Sequence, residues 1–195
     1  MGCQVREYWA SKHLANDKSA LTGTSLQQYC EFFGLTPQAF ENQIVLEIGV
    51  GMGKATRSIA MLTDYLDVLD ICDIAIIKVL NWVEDAYIDP RSLDANKYDI
   101  AISYLVAQHM GDEDFLNQLK NVIRALKPTG VFYLQFAEAR AVNPETFENK
   151  AGGGMVRYLE QVEQIVQQAG GSLEVVKAQG ISSQVTFYGV KVRKA

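Results

Sequence analysis

The sequence predicts an α/β protein: one doubly wound, mostly parallel seven-stranded sheet with helices on both faces and an antiparallel hairpin at its C-terminal edge. Three observations carry this prediction. Short apolar runs, such as Ile44-Val45-Leu46 and Ile100-Ala101-Ile102, are the pattern of strands buried on both faces, which lose the polar alternation of a solvated sheet. Amphipathic stretches of helical period separate these runs, as crossovers between parallel strands require. Glycines at 49, 51 and 53 break the first run at its carboxyl end, where sheets of this kind receive ligands against their backbone. A chain of 195 residues is long enough for one well-buried domain and short for two.

Residues 1–43 read as an N-terminal helical arm, and 44–195 as the domain proper. Tyr8, Trp9 and Leu14 make the first segment an anchor on that domain, or a lid over a substrate. Thr24 and Gln27 have capping-box spacing, and Pro37 suits the first position of a short helix. A helix is expected over 54–62, then the strand LDVLDI with Asp70 near its tip. Asp73 is expected to cap a helix over 74–83, which leaves Asp70 free. The third strand falls near Tyr87 and Ile88, and the fourth on the run after Asp99. Phe115, Leu116, Leu119, Val122, Ile123 and Leu126 then recur at helical spacing behind Asp112. LKPTG, residues 126–130, is expected as a turn before the fifth strand, VFYLQF. Residues 138–154 are polar and glycine-rich, either a surface loop or a substrate flap. A last helix, with Tyr158, Leu159, Val162, Ile165, Val166 and Ala169 on one stripe, stops at Gly170-Gly171. Two strands close the chain, LEVVKA and VTFYGVKV, and the apolar phase slips around Gly189 as at a bulge.

Composition removes several classes. Net charge −5 gives no electrostatic footprint for nucleic acid. No apolar run reaches the roughly 20 residues of a membrane helix. The N-terminus has no secretory pattern, and Arg6 stands where myristoylation wants Ser or Thr. Cys3, Cys30 and Cys72 are odd in number and lack metal-site spacing, so reduced thiols in a cytoplasmic protein, with no metal, are expected. Oligomeric state is not written in the sequence.

The glycines can be told apart from better-known loops by spacing. A dinucleotide fingerprint needs glycine at 54, where Lys54 stands; a phosphate loop needs glycine at Ile48 and a hydroxyl at Ala55. Glu47-x-Gly49-x-Gly51-x-Gly53 instead resembles the first motif of the class I S-adenosylmethionine-dependent methyltransferases. The segment from Asp99 to His109 is similar to that family's fourth strand and following turn, and LKPTG to its LKPGG turn. The resemblance spans roughly 44–136 and is an outline beyond.

The resemblance implies S-adenosylmethionine as cofactor, held by Glu47, Gly49, Gly51, Gly53, Asp70, Ile71, Asp89, Pro90, Ser103 and Tyr104. Asp70 would accept the ribose hydroxyls and Asp89 the adenine amino group; its spacing is short, so Asp94 or a carbonyl could substitute. The reaction implied is in-line attack on the sulfonium methyl by an O, N, S or C atom of a small-molecule acceptor, a matter of positioning and desolvation. His109 is the candidate base; Tyr8, Trp9, Glu138 and Arg140 are candidate substrate contacts. A noncatalytic cofactor-binding partner of another methyltransferase is the alternative. An aminopropyltransferase would need paired acids after strand four, which are missing.

Overall fold

A computed structural model of the chain describes residues 2–17, 23–139 and 156–195. Strand β1 (Ile44–Ile48) is central, parallel to β2 (Tyr65–Leu69) on one side and to β4 (Tyr98–Ser103) on the other. Strand β3 (Asp85–Tyr87) extends the sheet beyond β2, and β5 (Leu126–Ala139) extends it beyond β4, both in parallel. β7 (Val185–Lys194) runs antiparallel between β5 and the edge strand β6 (Gly171–Gly180). The order is therefore β3-β2-β1-β4-β5-β7-β6. Chain connections leave β1 and β4 in opposite directions, which opens a crevice at their carboxyl ends.

Helices α1 (Gly2–Leu14), α2 (Leu26–Phe33), α3 (Lys54–Ala60), α4 (Asp73–Val79), α5 (Asp112–Ala125) and α6 (Leu159–Gln168) cover the sheet. Alternation along each strand sends side chains to two cores. Leu46, Ile48, Ala101 and Leu134 meet Phe115, Leu119, Val162 and Val166 of α5 and α6. Val45, Ile100 and Ile102 meet Phe32, Phe33 and Ile59 of α2 and α3, while Val68 joins Ala75 and Val79 of α4. Residues of α2 thus share the core of the sheet, and α1 lies against α4, its Arg6 paired with Asp73 at 2.9 Å.

Several local expectations shift. The capping box falls on Ser25 and Gln28 rather than Thr24 and Gln27: Ser25 N donates to Gln28 Oε1 at 2.8 Å and Gln28 N to Ser25 Oγ at 3.3 Å. Asp73 does not cap α4 but is its first residue; Cys72 holds the cap position, and its amide donates to Asp70 at 2.8 Å. α3 and α4 end early, at Ala60 and Val79, the latter passing into a 3-10 turn, Leu80–Trp82. LKPTG is an outward loop within β5, since pairing with β4 jumps from Tyr98↔Leu126 to Ile100↔Val131. The bulge lies on β6, between Val175 and Lys177, while β7 pairs with β5 unbroken through Gln135↔Gly189. Gly189 answers a different need: a Cβ there would stand 2.9 Å from the Phe32 ring, so its absence lets α2 settle on the sheet.

No helix among the described residues is long and apolar enough to cross a membrane. Cys30 and Cys72 are buried free thiols.

Candidate functional site

A cleft of about 440 Å³ opens at the carboxyl ends of β1, β2 and β4. Its walls are the glycine turn, the tip of β2, Pro90, the turn after β4, the first turns of α5, and residues of α1 and α2.

The three glycines have φ of +78°, +52° and +74° but separate roles. A Cβ on Gly49 would meet Val106 Cγ2 at 2.2 Å, and one on Gly53 would meet Val79 at 2.6 Å, so both are packing glycines. Gly51 has nothing within 4 Å of its Cβ position. Gly49 and Gly51 both line the cleft, but Gly51 alone of the three has an open Cβ position.

Asp70 sits beside this turn. Its carboxylate accepts from Val50 N at 3.0 Å and Cys72 N at 2.8 Å. Burial nevertheless pushes its pKa up to about 6, the amide donors offsetting only part of the desolvation. Ile71 and Pro90 complete this end of the wall. Asp89 does not reach it: the carboxylate caps the short Pro90–Ser92 turn and takes the fork of Arg91, Nε at 2.9 Å, which holds its pKa below the usual range.

Glu47 lies beneath the cleft, not on its wall. It is fully buried and accepts from Tyr29 Oη at 3.0 Å. Burial pushes its pKa up to about 7. Tyr29, supplied by α2, is the group that lines the cleft in its place. Ser103 is likewise buried away from the cleft, whereas Tyr104 lines it and packs edge-on to Phe32 at 5.0 Å. Leu105 follows at φ +62°, a strained value for leucine, with its amide donating to Gln135 Oε1 at 2.7 Å. Leu105 and Val106 both line the cleft beyond this point.

His109 ends the 3-10 turn Ala107–His109 and lines the cleft. Trp9 of α1 meets its ring edge-on, centroids 4.9 Å apart, and Tyr8 packs on Trp9 at 5.2 Å. Glu138 is elsewhere: buried in β5, it accepts from Leu159 N at the head of α6 at 3.2 Å. Arg140 lies outside the described residues. Among the described residues no group of three His, Cys, Asp or Glu side chains converges as a metal site.

Sequence reasoning missed His13, Tyr29, Met52 and Gln118 on the wall. It also missed Arg157, 4% exposed, which donates to Ala107 O at 3.0 Å, Met110 O at 2.5 Å and Asp112 at 2.8 Å. These bonds bracket His109, yet a single arginine ahead of an amphipathic helix carries no signal of them. Arg157→Met is expected to lower unfolding stability by about 2 kcal/mol, since the part-buried Met110 carbonyl loses its arginine donor and the buried Ala107 carbonyl keeps only the Met110 amide; urea titration reads this directly.

Asp70 yields a pH prediction. If the ionised form is what binds, affinity for S-adenosylhomocysteine should fall by about tenfold for each pH unit below 6. Asp70→Asn should bind weakly throughout and flatten that dependence. Calorimetry between pH 5 and 8 checks both.

The fold and the open glycine turn are those expected of the class I S-adenosylmethionine-dependent methyltransferases. A family profile described as AdoMet dependent proline di-methyltransferase matches residues 24–192, and the chain belongs to that family. The N-terminal Xaa-Pro-Lys N-methyltransferase 1 of Xenopus tropicalis is 21% identical over 91% of this chain and 87% of its own length. Among solved structures, Burkholderia thailandensis 1,6-didemethyltoxoflavin-N1-methyltransferase, bound to 1,6-didemethyltoxoflavin and S-adenosylhomocysteine, is similar. It superposes with TM-score 0.72 at 14% identity, covering 99% of this chain and 88% of that one. A Leishmania major SAM-dependent methyltransferase gives TM-score 0.69 at 16% identity, over 97% and 82%. The enzyme's cofactor is S-adenosylmethionine, and the wall fits it: open backbone at Gly51 and a carboxylate at the tip of β2.

Proposed function

We propose that the enzyme methylates an amine nitrogen, and that the amine is the amino terminus of a peptide. The family match over residues 24–192 carries this reading, since that family is described by proline dimethylation; the similar Xenopus protein, an N-terminal Xaa-Pro-Lys N-methyltransferase, agrees with it. Asp70 accepts the ribose hydroxyls, Ile71 and Pro90 flank the base, and Gly51 lies under the rest of the cofactor. S-adenosylmethionine supplies an electrophilic methyl group on sulfur. An amine arrives protonated and must lose that proton before attack. Neutral His109 takes it, while Trp9 and Tyr104 offer aromatic faces to the cation. Asp114, exposed on the first turn of α5 and part of the wall, draws a basic peptide to the mouth. α1 acts as the lid of the arm over 1–43, and unpaired Cys30 and Cys72 suit a cytoplasmic setting.

A small-molecule acceptor is the second reading, favoured by likeness over 99% of the chain to an enzyme solved with a small heterocycle. Labelled S-adenosylmethionine offered with peptides starting Xaa-Pro-Lys, their acetylated forms and a metabolite mixture separates the two. Label on the free peptides alone supports the first; label on a metabolite alone replaces it with the second.

A further inference from the structure

We propose, on the reading of His109 as the base, that Arg157 is a positioning residue: it fixes where the His109 ring stands in the cleft by holding the backbone of the turn that carries it. The turn's own bonds give it only its shape. His109 N donates to Val106 O at 2.9 Å and Met110 N to Ala107 O at 3.3 Å, and both bonds close within the turn, so neither sets its place on the protein. Arg157 supplies the placement. Nη1 donates to Ala107 O at 3.0 Å, Nη2 to Met110 O at 2.5 Å and Nε to Asp112 Oδ1 at 2.8 Å. The two carbonyls stand on either side of His109, and Asp112 is the first residue of α5. One planar group thus ties both ends of the turn to the head of that helix.

The arginine's own seat is fixed from elsewhere. Arg157 N donates to Ala137 O of β5 at 3.0 Å, and the guanidinium lies over the buried Phe115 ring, 4.5 Å from its centroid. Two residues on, Leu159 N donates to Glu138 Oε1 at 3.2 Å. The turn after β4 is therefore registered against β5 and α5 together. Burying a cation to 4% exposure is costly, and what the guanidinium gives in return is geometry: three of its nitrogens reach three separate acceptors from one rigid plane. A lysine ammonium would keep the charge beside Asp112 and lose that span.

Placement matters because a base works only within about 2.6–3.2 Å of the proton it takes. A displacement of about 1 Å can cost on the order of 100-fold in rate.

A double-mutant cycle in turnover separates positioning from mere support of the fold. The probes are labelled S-adenosylmethionine at saturation and the free Xaa-Pro-Lys peptide, or the metabolite that takes label in its stead. Arg157→Lys should lower kcat by about tenfold or more, with affinity for S-adenosylhomocysteine by calorimetry kept within about twofold. In a His109→Ala background the same substitution should change kcat by less than about twofold, because no ring is left to place. Asp112→Ala, at a side chain 70% exposed, loosens the guanidinium without emptying its seat; it should cost about threefold in kcat with the same dependence on His109, and it carries the test if Arg157→Lys unfolds. Losses by equal factors with and without His109 would mean that the arginine only holds the fold, and would overturn the proposal. So would an unchanged kcat in folded Arg157→Lys. Failure of the underlying reading looks different: His109→Ala would itself leave kcat near the parent's, and the positioning role would fall with it.

Discussion

Gly51→Val is expected to abolish cofactor binding, lowering affinity for S-adenosylhomocysteine by about 100-fold or more, or about 2.7 kcal/mol. A Cβ at Gly51 has no protein neighbour within 4 Å, so a branched side chain there occupies the space of the ligand. Valine at φ +52° also strains the backbone, and a second variant separates the effects. Asparagine tolerates left-handed backbone, so Gly51→Asn should keep a melting temperature near the parent's and still lose the ligand. Gly49→Ala makes the contrast, because its methyl would press on Val106 at 2.2 Å; instability should lead there. Unchanged affinity in folded Gly51→Asn would place the cofactor away from this turn.

His109→Ala should lower kcat by about 100-fold or more while affinity for S-adenosylhomocysteine stays nearly intact. Only a neutral imidazole can accept the amine's proton, so under the proposed assignment the rate of the parent should rise with pH at the acidic end. That acidic limb should vanish in the variant. Asp70 produces a limb of the same sign through cofactor affinity, so kcat must be read at saturating S-adenosylmethionine. A structural histidine predicts otherwise: a lower melting temperature through the lost Trp9 contact at 4.9 Å, with the shape of the profile kept. That outcome would refute the base assignment.

What the sequence could and could not say follows from where each signal resides. Buried parallel strands announce themselves because both faces are apolar, so Val45, Leu46, Ile100 and Ile102 were legible, as was the hairpin edge. Boundaries were less so, because Ser25 and Thr24 are chemically equivalent candidates for one cap and only geometry chooses Ser25. The glycine motif was legible as a unit, but not the division of labour within it, which depends on Val106 and Val79 from distant segments. The same limit hid Arg157, whose partners lie 45 to 50 residues away. Asp89 and Glu138 read as site residues by position, yet Arg91 and the head of α6 claim their carboxylates.

The raised carboxyls of Asp70 and Glu47 set folding against ligand capture. Their folded pKa values, about 6 and about 7, exceed the ordinary 3.8 and 4.5, so the native state binds protons more tightly than the unfolded chain. Their contribution to stability is full below pH 4 and is lost as pH rises through about 6 and then about 7. Under the proposed assignment of Asp70 to the ribose, affinity for the cofactor should move the opposite way, rising as the carboxyl ionises. The ligand-free protein should therefore melt highest in mildly acidic buffer, where added S-adenosylhomocysteine shifts the transition least. A ligand screen by thermal shift run at pH 5 should give a smaller shift with the cofactor than the same screen at pH 8, by the roughly tenfold affinity lost one unit below the pKa of Asp70.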